Sequence, residues 1–263
     1  GANRKARLHK VKARLPRMTP LLVFAAIAVV AYLVWPGGSG GRPDIEIVAP
    51  EQVRVIYALP SDGKADEALV AAIRNEVGLA ETWFREQADG RAPKLLKDGA
   101  ELVVERQALG VDTGELLRRP DAIGLVADEM RDDDGSLPPD EVLVVFVPVA
   151  VESTCGESGL TIVVVWVGAC GDVPSTESTV LDGGVSGTIA HELTHAMGAV
   201  GSCAPHYGRN GHVTDDPRDI VYDQPQGGPP PAMNDLVLDP GRDDYFDHGR
   251  SDCPDIKNHP LWD

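Results

Sequence analysis

Two histidines and a glutamate lie close enough in the sequence to bind a metal ion and hydrolyse a bond. His191, Glu192 and His195 form the pattern H-E-x-x-H within the apolar segment 189–198. If that segment is a helix, residues four apart share one face about 6 Å apart, so both imidazoles can reach one cation. Zn²⁺ accepts neutral imidazoles and lowers the pKa of a zinc-bound water to about 7. Glu192 would take the proton from that water as general base, so the pattern predicts metal-assisted hydrolysis of a carbonyl group.

A catalytic zinc site takes a third protein ligand, which must come from another part of the chain. No glutamate occurs between residues 193 and 263, so the third ligand is expected to be a downstream histidine or aspartate. We favour His212 for this role. The alternatives are His206, Asp215 and Asp216.

The motif and its surroundings resemble those of the metzincin group of zinc endopeptidases. The metzincin pattern H-E-x-x-H-x-x-G-x-x-H/D is matched through Gly198, but Gly201 stands at its last position. The following segment, 202–222, is similar to metzincin-like bacterial proteins that carry A-P-H and G-H-x-x-D segments before a D-I-M-Y-like turn. This resemblance covers roughly residues 142–222. It implies a zinc cofactor, a polypeptide substrate and peptide hydrolysis.

Metzincins also carry a methionine in a turn beneath the metal. In this sequence Asp219-Ile-Val-Tyr222 matches the surroundings of that turn, with Val221 in place of the methionine. The resemblance therefore implies a hydrophobic floor of different composition. Met197 is expected in the core, and Gly198 is expected to end the motif helix in a left-handed turn.

The elements that must position these residues follow an α/β pattern. Apolar periodicity predicts four strands and three helices: strands at Gln52–Leu59, Glu101–Leu109, Val142–Val151 and Leu160–Val167, and helices at Lys64–Gln87, with an interruption or bend near Gly78, Leu117–Met130 and Ser186–Val200. This order predicts a metzincin-like zincin domain over residues 51–263, with a mixed sheet that supports the active-site helix. Residues 51–200 would form the sheet lobe and residues 201–263 a loop-rich lobe.

The front of the chain predicts a transmembrane helix. Residues 1–20 contain seven basic and no acidic residues, and the fifteen residues Leu21–Trp35 carry no charge. Fifteen helical residues cover roughly 22 Å of a hydrocarbon core about 30 Å thick, so length allows a cleavable signal peptide or an uncleaved anchor. Tyr32 and Trp35 at the end of the run, with no small-residue cleavage site behind it, favour a signal-anchor. The positive flank then places residues 1–20 in the cytoplasm, and the domain beyond the linker 36–50 is extracytoplasmic, or secreted if the segment is cleaved.

The net charge argues against nucleic acid as a partner. The chain has 24 Lys+Arg against 41 Asp+Glu, a net charge of −17, and the part after Trp35 carries −24. This excludes a nucleic-acid binder that works by overall charge. The tail from Asp239 to Asp255 is dense in aspartates. We interpret this tail as an acidic solvated loop, with a Ca²⁺ site as the alternative.

The cysteines indicate export to an oxidising compartment. All four lie beyond the linker, and none has the C-x-x-C spacing of a metal or redox site. Four cysteines allow three pairings. We favour Cys155–Cys170, which closes a short loop between two strands, and Cys203–Cys253, which ties the tail to the segment after the motif.

Two functions fit these patterns. The first is a zinc-dependent endopeptidase on the extracytoplasmic side of a membrane, with His191, His195 and His212 as ligands. The second is a non-catalytic module in which four protein ligands close a structural zinc site. Glu192 distinguishes them, because a structural site does not need this carboxylate.

Overall fold

A five-stranded sheet supports the candidate site in the computed structural model of the protein, which describes residues 49–151, 154–159, 161–170, 184–223 and 232–263. The strands of this sheet are β1 (Gln52–Leu59), β4 (Val104–Ala108), β5 (Glu141–Val147), β6 (Gly156–Ser158) and β7 (Ile162–Trp166). Their order is β4-β1-β5-β7-β6. All neighbours pair in parallel except β6, which runs antiparallel to β7 at the edge. Two further strands, β2 (Lys97–Asp98) and β3 (Glu101–Leu102), form a separate antiparallel pair.

The predicted strands are confirmed in position, with changes at their ends. Strand β1 has the predicted bounds, whereas β5 stops at Val147, because Pro148 offers no backbone N–H for the ladder. The predicted strand Glu101–Leu109 divides into β3 and β4. Strand β6 was not predicted, because three residues are too few to show an alternating pattern.

Helix α1 (Glu67–Gln87) begins later than predicted and runs through Gly78 without interruption. Its start is set by Asp66, whose side chain accepts a hydrogen bond from the backbone N–H of Ala68 at 2.9 Å. The predicted interruption near Gly78 is wrong. A Cβ at this position would have no neighbour within 4 Å, so the glycine only lowers helix propensity there.

The single helix predicted at Leu117–Met130 is also wrong, because the structure has two helices here. Helix α2 (Thr113–Arg118) and helix α3 (Ala122–Glu129) each begin after an aspartate that caps the first turn, Asp112 and Asp121. Pro120 separates them, since a proline disfavours helical geometry in the preceding residue. Arg119 accordingly has extended backbone angles of φ −93° and ψ 127°.

Helix α4 (Val185–Ala196) carries the H-E-x-x-H motif and ends before the predicted Val200. Gly198 has φ +96°, as predicted for a left-handed turn at the helix end. Alternate strand residues face opposite sides of the sheet. Val144 and Phe146 pack against α1 and α4, while Val145 and Val147 pack against α2 and α3. The sheet is therefore buried on both faces, with α4 on the side of α1.

Past α4, the described residues contain turns, isolated β-bridges and short 3-10 helices at Met233–Asp235 and Ile256–Asn258. This part packs onto the α1 side of the core through Tyr245, Phe246 and Trp262. The division of residues 51–263 into two lobes stays a prediction. The basic tail, the signal-anchor 21–35 and nearly all of the linker 36–50 lie outside the described residues. Within the described ranges, no helix has the length and apolar character needed to cross a bilayer.

Both predicted disulfides are present, Cys155–Cys170 and Cys203–Cys253. The second joins residues 50 apart, and closing a loop of that size in the unfolded chain stabilises the folded state by about 4 kcal/mol. We expect the double variant Cys203→Ser/Cys253→Ser to lose about this free energy of unfolding, measured by urea denaturation. The Cys155→Ser/Cys170→Ser variant should lose less, about 3 kcal/mol, because its loop is shorter. Equal losses, or none, would contradict the loop-closure explanation.

Candidate metal centre

Helix α4 begins without a capping side chain of its own, and a glutamate from α1 takes that role. The carboxylate of Glu76 accepts a hydrogen bond from the backbone N–H of Ser186 at 3.1 Å. Glu76 is only 2 % exposed, and burial raises its pKa. A carboxylate is favoured beside the unpaired N–H groups and positive dipole end of a helix. This contact fixes the start of α4 relative to α1.

The motif histidines face the same point as His212, which the following loop carries back towards α4. The Nε2 atoms of His191 and His195 lie 3.1 Å apart, and those of His191 and His212 lie 3.3 Å apart. All three residues place a ring nitrogen within 4.8 Å of the others. The structure therefore brings together the three histidines that were predicted to form the site.

Each of these histidines is oriented by a backbone carbonyl on its far side. The pairs are His191 Nδ1 with Ile220 O at 2.6 Å, His195 Nδ1 with Ala199 O at 2.8 Å, and His212 Nδ1 with Arg209 O at 3.1 Å. A carbonyl oxygen can only accept a hydrogen bond, so each Nδ1 carries the ring hydrogen. Each Nε2 is then left with a free lone pair, the arrangement found in histidines that bind metals.

The donor set suits zinc. A tetrahedral Zn²⁺ with Zn–N distances of about 2.0–2.1 Å holds its ligand nitrogens about 3.3 Å apart, close to the separations seen here. Burial lowers the pKa of both His191 and His195 to about 4. Both imidazoles are consequently neutral near pH 7 and able to donate their lone pairs. Among the described residues, this group contains three potential ligands and not four.

Glu192 lies beside the three histidines with its carboxylate almost fully buried. The residue is 7 % exposed, and its Oε2 accepts a hydrogen bond from the Ser158 hydroxyl at 2.6 Å. Burial raises the pKa of Glu192, and the hydrogen bond from Ser158 acts in the opposite direction. A buried carboxylate beside this group of histidines is placed to accept a proton as a general base.

The turn at residues 219–222 contacts the site through a backbone carbonyl. Its Ile220 carbonyl orients His191, and Val221 is fully buried in the core below. Asp219 holds the turn, since its Oδ1 accepts hydrogen bonds from Val221 N at 2.8 Å and from the Tyr245 hydroxyl at 2.7 Å. Met197 is 4 % exposed and belongs to the core, as expected.

The alternative third ligands lie in other contacts. His206 Nδ1 is 3.0 Å from Asp244, 3.5 Å from Asp215 and 3.7 Å from Asp243, so these four residues form a separate group. The neighbouring carboxylates, Asp244 first, raise the pKa of His206. Asp216 pairs with Arg218 at 2.6 Å. Of the four candidates for the third ligand, only His212 is grouped with the motif histidines among the described residues.

The tail aspartates have structural roles that the sequence interpretation missed. The buried Asp239 accepts hydrogen bonds from four successive backbone N–H groups, those of residues 243–246. Asp247 pairs with Arg242 and Lys257. Hydrogen bonds and ion pairs therefore hold this tail together, which the interpretation as a solvated acidic loop did not include. A Ca²⁺ site in this tail stays a prediction.

Sequence reasoning missed two residues of the site, Glu76 and Ser158. Their contacts join residues 110 and 34 positions apart. Neither residue belongs to a recognisable motif. Only Glu76 gave a sign of its role in the sequence, because it is a charged residue on the apolar side of a predicted helix.

No family model matches the chain, and no curated protein matches it. Similar solved structures include crystals of OgpA from Akkermansia muciniphila. Wild-type OgpA matches in one crystal form with 12 % identity and a TM-score of 0.46 over 73 % of this chain and 58 % of that chain. In another crystal form it matches with 12 % identity and a TM-score of 0.40 over 57 % of this chain and 48 % of that chain. A third match is catalytically inactive OgpA in complex with an O-glycopeptide substrate, glycodrosocin. Its identity is 11 % and its TM-score 0.42, over 58 % of this chain and 49 % of that chain. This chain thus spans about half the length of these structures, and values this low do not assign it to a family.

Proposed function

We propose that the protein is a zinc-dependent endopeptidase in which Glu192 is the general base. The observation that carries this proposal is the convergence of three free Nε2 lone pairs, those of His191, His195 and His212, beside a buried carboxylate. Three imidazole nitrogens at this spacing suit a divalent metal, and three protein ligands with an open fourth position are typical of catalytic zinc.

The roles of the residues follow from their positions. His191, His195 and His212 would hold the metal, which when bound polarises a carbonyl group and lowers the pKa of water. Glu192 accepts a proton from the attacking water and passes it to the leaving amine. The backbone carbonyls behind the three rings keep each histidine in the tautomer that binds metal. A polypeptide substrate is proposed from the resemblance of the motif to metzincins.

A structural zinc site is less well supported by this geometry. Such sites are closed by four protein ligands, whereas the group found in the described residues has three. The remaining position would be open to water or substrate. A buried glutamate next to that position has no purpose in a structural site, and it is the group that hydrolysis requires.

We also propose that the domain works outside the cytoplasm, anchored by the segment Leu21–Trp35. Its two disulfides support this location, because such bonds persist in oxidising compartments. The polybasic residues before the apolar segment support the orientation, with residues 1–20 inside.

Metal removal tests the proposed activity. We expect protein prepared without chelators to contain one zinc per chain and to cleave an unfolded polypeptide mixture. Dialysis against a chelator should abolish cleavage, and zinc should restore it, since in this proposal the metal polarises the carbonyl group. Elemental analysis and mass spectrometry of the products measure both effects. Protein without stoichiometric transition metal, or cleavage that survives complete metal removal, would contradict the proposal.

A further inference from the structure

Strand β6 lies directly against the motif helix. Gly156 and Ser158 are two residues apart on this strand, so they share the face that meets α4. A Cβ at Gly156 would lie 2.4 Å from Thr188 Cγ2 and 2.9 Å from Glu192 Cγ. Such distances are too short for any side chain at this position. The backbone of β6 is thus in contact with the side chain of Glu192.

Ser158 adds a polar contact to this packing. Its hydroxyl lies 2.6 Å from Oε2 of Glu192, and because an ionised carboxylate can only accept, the hydroxyl donates. Among the described residues, no other side chain donates a hydrogen bond to this carboxylate. The other oxygen, Oε1, lies 3.0 Å from the place that a Cβ at Gly156 would occupy. The glycine therefore leaves space beside the oxygen that Ser158 does not engage.

The position of Ser158 is itself fixed by neighbouring contacts. The Cys155–Cys170 disulfide holds the start of β6, and the Thr188 hydroxyl donates to Cys155 Sγ at 3.1 Å. The backbone of β6 pairs with β7 along its whole length. Ser158 is thereby held against the face of α4 that carries Glu192, which lies one helical turn after Thr188.

We propose that Ser158 is a positioning residue for Glu192, an inference that rests on the proposed function. Its hydroxyl holds Oε2, so that Oε1 is the oxygen that accepts the proton of the attacking water. The terminal torsion of a glutamate has broad minima, so a carboxylate without this hydrogen bond adopts several orientations. The productive orientation is then populated only part of the time, and the rate of the chemical step falls.

The test compares Ser158→Ala with the wild-type protein. We expect kcat for peptide hydrolysis to fall about 10- to 100-fold, the effect of losing one hydrogen bond to a charged group, with KM changed less than about threefold. Zinc content should stay the same, and Ser158→Thr should restore kcat. The matched control is Ser136→Ala, since the Ser136 hydroxyl also donates to a carboxylate, Asp134, at 2.6 Å, but on an exposed loop. This control should keep wild-type kcat.

A second pair of variants controls for a folding defect in the Ser158→Ala protein. Ser158→Thr and Ser158→Val have the same shape and differ in one hydroxyl, so a lower kcat in the valine variant isolates the hydrogen bond. Wild-type kcat in zinc-loaded Ser158→Ala and Ser158→Val proteins would overturn the inference.

A non-catalytic measurement separates this inference from the proposed function. Crystal structures of the zinc-loaded wild-type and Ser158→Ala proteins show the orientation of the Glu192 carboxylate. If the wild type hydrolyses no peptide, the proposed function fails, and these structures decide on the role of Ser158. A carboxylate that rotates in the variant supports positioning by Ser158, and one that keeps its wild-type orientation refutes it.

Discussion

Replacement of Glu192 by glutamine should lower kcat for peptide hydrolysis by about 10²- to 10⁴-fold and leave one zinc bound per chain. The amide has nearly the same shape as the carboxylate but cannot accept the proton of water. The three histidines do not depend on this side chain, since each is oriented by a backbone carbonyl. Steady-state kinetics and elemental analysis of the same preparation give both quantities.

The matched control for this variant is Glu86→Gln, an exposed glutamate on α1. It makes the same chemical change away from the site and should keep full activity. Full activity in the Glu192→Gln protein would show that another base, or a contaminating enzyme, is responsible for cleavage. The structural-zinc alternative would then be favoured.

Replacement of His212 by alanine should weaken zinc binding by more than about 100-fold. Loss of an outer-shell partner of a metal ligand lowers affinity by about 10- to 100-fold, and loss of a ligand itself should exceed that. Two histidines one helical turn apart would still contact the ion, so residual weak binding is expected. Competition with a chromophoric chelator measures the affinity, and elemental analysis after dialysis measures retention.

His206→Ala is the control, because His206 was an alternative third ligand and lies in the separate aspartate group. This variant should retain zinc at wild-type affinity. The opposite pattern, with full zinc in the His212 variant and loss in the His206 variant, would move the third ligand to His206.

The fold could be predicted from the sequence wherever the signal is local. Strand β1 has the predicted bounds because its apolar alternation spans eight residues and ends at a proline turn. The helix divided at Pro120 was predicted as continuous because apolar spacing carries across the break, although proline chemistry could have indicated it. Strand β6 could not be predicted, since its three residues are defined by pairing with β7 and not by their own pattern.

The residues of the candidate site could likewise be predicted only where the signal is local. His191, Glu192 and His195 were found because the geometry of a helix fixes how they face one another. His212 was favoured among four candidates, but sequence alone could not decide between them, because the answer depends on how the loop after Gly198 returns to α4. Ser158 could not be found, since its contact with Glu192 exists only once the sheet and α4 are packed together.

The carbonyl groups behind the three histidines have a consequence for the order in which the centre is assembled. These carbonyls belong to Ala199, Arg209 and Ile220, so the polypeptide sets the ring orientations by itself. A zinc finger, by contrast, gains its structure from the ion. In the proposed enzyme the ion would enter a site whose ring orientations the polypeptide already sets, so little conformational entropy would be lost on binding. We therefore expect folding and metal binding to be separable events, with the three rings already oriented before the ion arrives.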